Sequence, residues 1–189
     1  MATENIDLDR EISRLVDIRA HKPIDVLIDE LKLLSTWPRD QLSELLQRLC
    51  WSGGGRWPTV LYAMGADPNY VDDEGQTALS ICVHGAGGEF WPKEHTELPV
   101  DTFETACELL ELGASPNSPY MSECSVTSLA LFGNLPQFVC LFLMAGADLD
   151  LEEPGSLSDK TLRQEIMASD RMWGRRLISI CDRPKAETD

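Results

Sequence analysis

Along most of the chain, apolar residues return every three or four positions, the spacing of one helix face rather than the alternation of a strand. Asp9–Ala20 carries Ile12, Leu15, Val16 and Ile18. Pro23–Ser35 opens with a proline suited to a first turn and carries Ile24, Leu27, Ile28, Leu31 and Leu34. Arg39–Trp51 carries Leu42, Leu45, Leu46 and Leu49. Further on, three apolar stretches, Val60–Met64, Ala106–Leu112 and Val139–Ala145, each run directly into a Gly-Ala pair. The pattern predicts helices, several of which stop at a glycine.

Those stops belong to a recurring phrase: Gly65-Ala66-Asp67-Pro68-Asn69, Gly113-Ala114-Ser115-Pro116-Asn117 and Gly146-Ala147-Asp148-Leu149-Asp150. The second and third glycines are 33 residues apart and the first two 48, so an insertion of 15 residues in the first interval restores one period. Glycine just past a helix end takes the left-handed conformation without a Cβ penalty, and the polar residues after it reverse the chain. Gly75 is expected to turn the backbone with positive φ. Thr77 is then placed to cap a new helix, Ala78–Val83.

A 33-residue period closed by this phrase resembles the ankyrin repeat. The resemblance implies an all-α, ankyrin-like helical solenoid of stacked helix-turn-helix repeats with short hairpin tips and helical caps. Its first unit pairs an inner helix around Glu44–Trp51 with an outer helix around Trp57–Met64. The second pairs Thr77–Val83 with Thr102–Leu112, and the third Thr127–Phe132 with Pro136–Ala145. A degenerate fourth begins at Glu153-Pro154-Gly155 and continues through Lys160–Ser169 and Arg171–Cys181. Thr77-Ala78-Leu79-Ser80 and Thr127-Ser128-Leu129-Ala130 stand where the family has Thr-Pro-Leu-His, so the histidine that links neighbouring turns is missing. The third inner helix reads about two residues short. Because the ends of a solenoid need polar outer faces, residues 1–42 are expected to form an N-terminal helical cap. Residues 43–160 are the repeats, with an insertion near 85–100; 161–183 are C-terminal capping helices, and 184–189 a disordered tail.

The chain has 189 residues, 43% hydrophobic and 25% charged, which suits one folded domain. No apolar run approaches the roughly 18 residues that span a bilayer. Met1–Asp7 lacks the basic and apolar regions of a secretory signal. The expectation is a cytoplasmic protein without a membrane partner. Thirty-two acidic against 16 basic residues give a net charge of −16, which repels nucleic acid and favours a basic protein partner if there is one. The six cysteines contain no C-x-x-C pair, and in a reducing compartment they read as small core residues. Cys107 and Cys140 lie one period apart. Packed helix axes are about 8–10 Å apart, so the two read as equivalent neighbours rather than as a bridge.

Candidate chemistry is sparse. Gly53-Gly54-Gly55-Arg56 lacks the Lys-Ser/Thr of a phosphate loop. His84 and His95, with Cys82, match no metal-ligand spacing. Cys82 and His84, two apart on a helix, point away from each other. No enzymatic activity, metal or cofactor is expected.

The expected function is a non-catalytic protein–protein interaction module. Its surface would be the concave face that the resemblance implies, where the tips carry Asp67, Asp72, Asp73 and Glu74 in one unit and Asp148, Asp150, Glu152 and Glu153 in another. Between them Ser115–Ser125 is nearly neutral, so the row reads as uneven. Phe90 and Trp91 in the insertion are either folded onto the stack or ready for a partner. Aromatic residues are enriched at interaction hot spots. Two alternatives stay open. One is an immunity or inhibitor protein covering a basic toxin or enzyme; the other is a structural adaptor or self-associating accessory protein. The sequence leaves the oligomeric state unspecified.

Overall fold

The computed structural model describes residues 31–51, 57–86, 102–121, 123–152, 160–168 and 172–182. These residues are mostly helical. The helices are α1 (Arg39–Trp51), α2 (Trp57–Ala63), α3 (Ala78–Gly85) and α4 (Thr102–Glu111), followed by α5 (Val126–Phe132), α6 (Pro136–Met144), α7 (Leu162–Ala168) and α8 (Met172–Cys181). Strands β1 (Pro119–Tyr120) and β2 (Cys124–Ser125) pair antiparallel, with Tyr120 opposite Cys124. Among the described residues no helix is long and apolar enough to cross a membrane. Outside the described residues lie Asp9–Ala20, most of Pro23–Ser35, Gly53–Arg56, the insertion with Phe90, Trp91 and His95, Glu153–Gly155 and the tail.

The helices start where local hydrogen bonding tells them to. At α3 the Thr77 hydroxyl accepts the Ser80 N–H, and the Ser80 hydroxyl reciprocally accepts the Thr77 N–H at 2.9 Å. Ser125 caps α5 through the Ser128 N–H. Pro136 opens α6, where its missing N–H costs nothing. Thr161 and Gln164 exchange N–H bonds across the first turn of α7.

The helices stop at the recurring phrase, and they stop identically. Gly65, Gly113 and Gly146 have φ of 106°, 93° and 93°. In each case the glycine N–H bonds the carbonyl three residues back, and the next alanine N–H bonds the carbonyl five back. Position three of the phrase then folds over itself. Asp67, Ser115 and Asp148 accept the N–H of Asn69, Asn117 and Asp150 through their side-chain oxygens.

One hydrogen-bond ladder joins successive phrases. The Ser43 hydroxyl accepts the Asp67 N–H, Asn69 Oδ1 accepts the Ser115 N–H, and Asn117 Oδ1 accepts the Asp148 N–H, each at 2.8 Å. Asn69 Nδ2 also donates to the Gly113 carbonyl at 2.9 Å. In the third phrase the asparagine becomes Asp150, which meets the Arg163 guanidinium instead. The ladder therefore ends by changing its chemistry from amide to ion pair.

Packing follows the same order. Helix α1 packs on α3 and α3 on α5, while α2 packs on α4; α6 and α7 both pack on α8. Leu42, Leu45, Leu46 and Leu49 of α1 are buried, as the spacing predicts, together with Leu61, Leu79, Leu109, Phe138 and Phe142. Cys50 and Cys82 are fully buried between α1 and α3. The hydrogen bond to Cys82, reinforced by burial, pushes the Cys50 thiol up.

Two boundaries differ from expectation. Helix α1 spans Arg39–Trp51, the segment its apolar spacing predicts, and so runs unbroken across the boundary expected at positions 42 and 43. Helix α5 is capped by Ser125, not Thr127, and begins at Val126. Thr127 is buried and donates to the Pro116 carbonyl at 2.7 Å. Ser125 follows Gly113 by 12 residues, just as Thr77 follows Gly65 by 12. The 15 extra residues then fall after the capped helix: residues 86–101 connect α3 to α4, whereas 133–135 connect α5 to α6.

Candidate partner-binding surface

The first tip is a tight turn built on Asp72. Its Oδ1 accepts the N–H groups of Glu74 (2.9 Å) and Gln76 (2.8 Å), and its carbonyl accepts that of Gly75. The Gln47 amide of α1 donates to the Gln76 carbonyl at 2.6 Å and anchors the tip from below. The next tip lies beside it, with the Met121 N–H bonded to the Gly75 carbonyl at 2.9 Å.

This arrangement gathers acidic groups that are distant in sequence. Tyr70 is half-buried, and its phenol is pushed up by burial and then by Glu44, Asp73, Asp40 and Asp72. Tyr120 is raised by burial and then by Cys124, Glu123 and Glu74. Its ring meets His84 edge-on at 4.9 Å, and burial holds that imidazole below its usual range. Asp40 and Glu44 of α1 with Asp72 and Asp73 of the first tip thus act on Tyr70, and Glu74 of the first tip with Glu123 of the second act on Tyr120. Val71 and Met121 are exposed on the same tips. Glu123 is the one carboxylate in the stretch that reads as nearly neutral, and it falls next to Glu74 and Tyr120. Asp40 and Glu44 were not singled out by sequence. Their signal was available only as the acidic first half of an amphipathic helix.

The carboxylates singled out by sequence divide into two groups. Asp73 and Glu74 are exposed, with Glu74 accepting the Gln76 amide at 2.9 Å. Asp72 is committed to the turn. Asp67 accepts the Asn69 N–H and pairs with Arg39 at 3.1 Å. Asp148 holds the third tip through the Asp150 N–H. Glu152 is exposed and sits opposite Thr161 in an isolated antiparallel bridge. Glu153, Phe90 and Trp91 lie outside the described residues.

Asp150 belongs to a different construction. Arg163 donates to it at 2.9 Å and, on the other side, to Asp182 at 2.8 Å and 3.0 Å. One guanidinium so ties the third phrase, α7 and the end of α8 together. The Arg163 hydrogen bond holds the Asp150 carboxyl below the usual carboxylate range. A folded-state value below the unfolded one contributes stability at neutral pH that disappears as the folded carboxylate protonates. Asp150→Asn is therefore expected to melt at lower temperature than the parent near pH 7, with the gap closing below about pH 4. A gap of constant size across a pH series of thermal melts would overturn this role.

Among the described residues, no group of three or more His, Cys, Asp or Glu side chains is placed to hold a metal ion. Neither the models of known protein families nor the curated protein sequences give a match to this chain.

Proposed function

We propose that the chain is a divergent ankyrin-repeat protein acting as a non-catalytic module that binds a basic protein partner through its tip face. The fold reading is supported by three identical glycine stops, by the side-chain ladder between phrases, and by the equal 12-residue spacing from glycine to helix cap. The binding reading rests on one observation above all. The Met121–Gly75 bond sets two tips side by side, and these tips carry Tyr70, Val71, Tyr120 and Met121, with Asp40, Glu44, Asp72 and Asp73 acting on Tyr70 and Glu74 and Glu123 on Tyr120. Apolar and aromatic groups supply affinity, while a charged rim steers encounter.

The test uses full-length chain as bait, followed by association kinetics with the captured, purified partner. Asp72 is spared, because reversing it would break the turn. Asp40→Lys, Asp73→Lys and Glu74→Lys together should slow association by about tenfold and change dissociation little. The parent's on-rate should fall as ionic strength passes about 0.1 M, where the screening length is about 10 Å. An on-rate indifferent to both changes would assign the charge to solubility alone.

A further inference from the structure

The repeat provides an internal comparison between its two outer helices, α4 and α6. Shifted by 33 residues, Glu104 corresponds to Gln137, Cys107 to Cys140, Glu108 to Leu141 and Glu111 to Met144. These positions, spaced three, four and seven apart, form one helix face. On α4 that face is acidic: Glu104 and Glu111 are exposed, while Glu108 bonds the N–H and hydroxyl of Thr59. On α6 the same face is uncharged: Gln137 is polar, while Cys140, Leu141 and Met144 are apolar. No charged residue occurs between Glu123 and Asp148, in a chain where 25% of residues are charged.

A helix that is apolar nearly all round, with a single polar side chain such as Gln137, is normally buried. Helix α6 is not. Met144 is 87% exposed, Ala145 is exposed, and Cys140, Leu141 and Leu143 are only partly covered. The opposite face, with Phe138, Val139 and Phe142, already fills the core. Helices α4 and α6 are neighbours: the Phe103 ring at the start of α4 meets Phe138 at 5.3 Å, and beyond their far ends Asn117 bonds Asp148. Helices α4 and α6 thus set an apolar stripe next to an acidic one. Helix α8 also packs on α6, and its Arg175 and Arg176 are exposed.

We propose that this face of α4 and α6 is a second docking surface, and that its occupant is a basic amphipathic helix. Leucine-like anchors at helical spacing would lie along Cys140, Leu141 and Met144, and its lysines or arginines would face Glu104 and Glu111. Helix-on-apolar-face recognition uses such anchors at i, i+3, i+4 and i+7. Charge complementarity selects this occupant. The apolar stripe alone would accept any greasy surface, but the exposed Glu104 and Glu111 along α4 require a partner that is cationic on its α4 side. Two copies of this chain meeting through the face would bring two −16 molecules together. The tip face is not involved, and this proposal stands without it.

The probe is a synthetic helical peptide of about 18 residues, with leucines at amphipathic spacing, lysines along one flank of the leucine stripe and neutral residues elsewhere. A scrambled peptide of identical composition measures the general attraction of cations to an acidic protein. With the full-length chain, the patterned peptide should bind at least about tenfold tighter than the scrambled one. Leu141→Glu with Met144→Glu, which gives α6 the carboxylates of α4, should remove that advantage. Circular dichroism checks the fold, and Met144→Glu alone keeps the test open if the double variant unfolds. Glu104→Lys with Glu111→Lys should weaken patterned binding more than scrambled binding. Asp73→Lys with Glu74→Lys should leave the advantage intact, which separates this surface from the tips. No advantage for the patterned peptide, or one that survives Met144→Glu, overturns the proposal. A dimer in light scattering that Met144→Glu dissociates would also overturn it, assigning the face to a second copy.

Discussion

Phe138→Ala is expected to lower stability by about 3–5 kcal/mol, the range for removing a fully buried aromatic side chain. Phe138 is 1% exposed and stacks edge-on with two partners, Phe103 at 5.3 Å and Phe142 at 5.9 Å. Its loss leaves a cavity where α4 meets α6 and removes aromatic pairing worth about 0.5–1.5 kcal/mol per pair. Domains of this size have only about 5–15 kcal/mol in total, so the urea midpoint should fall far below that of the parent. Phe103→Ala, at a position 38% exposed, should cost clearly less. The double variant should be less destabilised than the sum of the two, because the pair is already broken. A cost below about 1 kcal/mol for Phe138→Ala would show that this junction is not part of the cooperative core.

The second large effect is expected at Gly75. Its φ is 77°, and a Cβ there would meet the backbone of Met121, Cα at 3.0 Å and N at 3.3 Å. The left-handed conformation alone costs a non-glycine residue about 1–2 kcal/mol. Relief of the clash would also break the bond from the Met121 N–H to the Gly75 carbonyl, worth about 0.5–1.5 kcal/mol. Gly75→Ala should therefore cost about 2–4 kcal/mol. Gly65 provides the control: its φ is 106°, but a Cβ there would find nothing within 4 Å. Gly65→Ala should show the conformational cost without the clash. Denaturant titration of the two variants checks the order. Equal costs would mean that the contact between the two tips adds nothing to stability.

Much of the fold was legible because it is written locally. Outer helices starting at Trp57, Thr102 and Pro136 and ending before Gly65, Gly113 and Gly146 needed only apolar spacing, a first-turn proline and a glycine stop. The start of α5 is hidden because Thr127-Ser128-Leu129 imitates Thr77-Ala78-Leu79 two residues late. Both Ser125 and Thr127 suit a cap by residue type; the 12-residue spacing from Gly113 favours Ser125, and the Pro116 carbonyl takes the Thr127 hydroxyl. The tip surface was half legible. Asp73 and Glu74 could be found as charges on a turn. That Asp40, Glu44 and Glu123 join them depends on how far one unit is displaced against the next, which is set by packing across some 30 to 50 residues of chain. Local pattern carries no such information. It also cannot distinguish a carboxylate used to hold a turn, such as Asp72 or Asp148, from one left in water.

The meeting of α3 and α4 has a consequence for what this scaffold can carry. A Cβ on Gly85 would lie 3.3 Å from Thr102 Cγ2, so the two ends of the connection 86–101 leave the body side by side. Whatever sequence joins two such adjacent points, its closure entropy grows only with the logarithm of its length. Evolution or an engineer can therefore lengthen the connection, graft a whole guest domain into it, or open the chain there to create new termini, at little cost to the host.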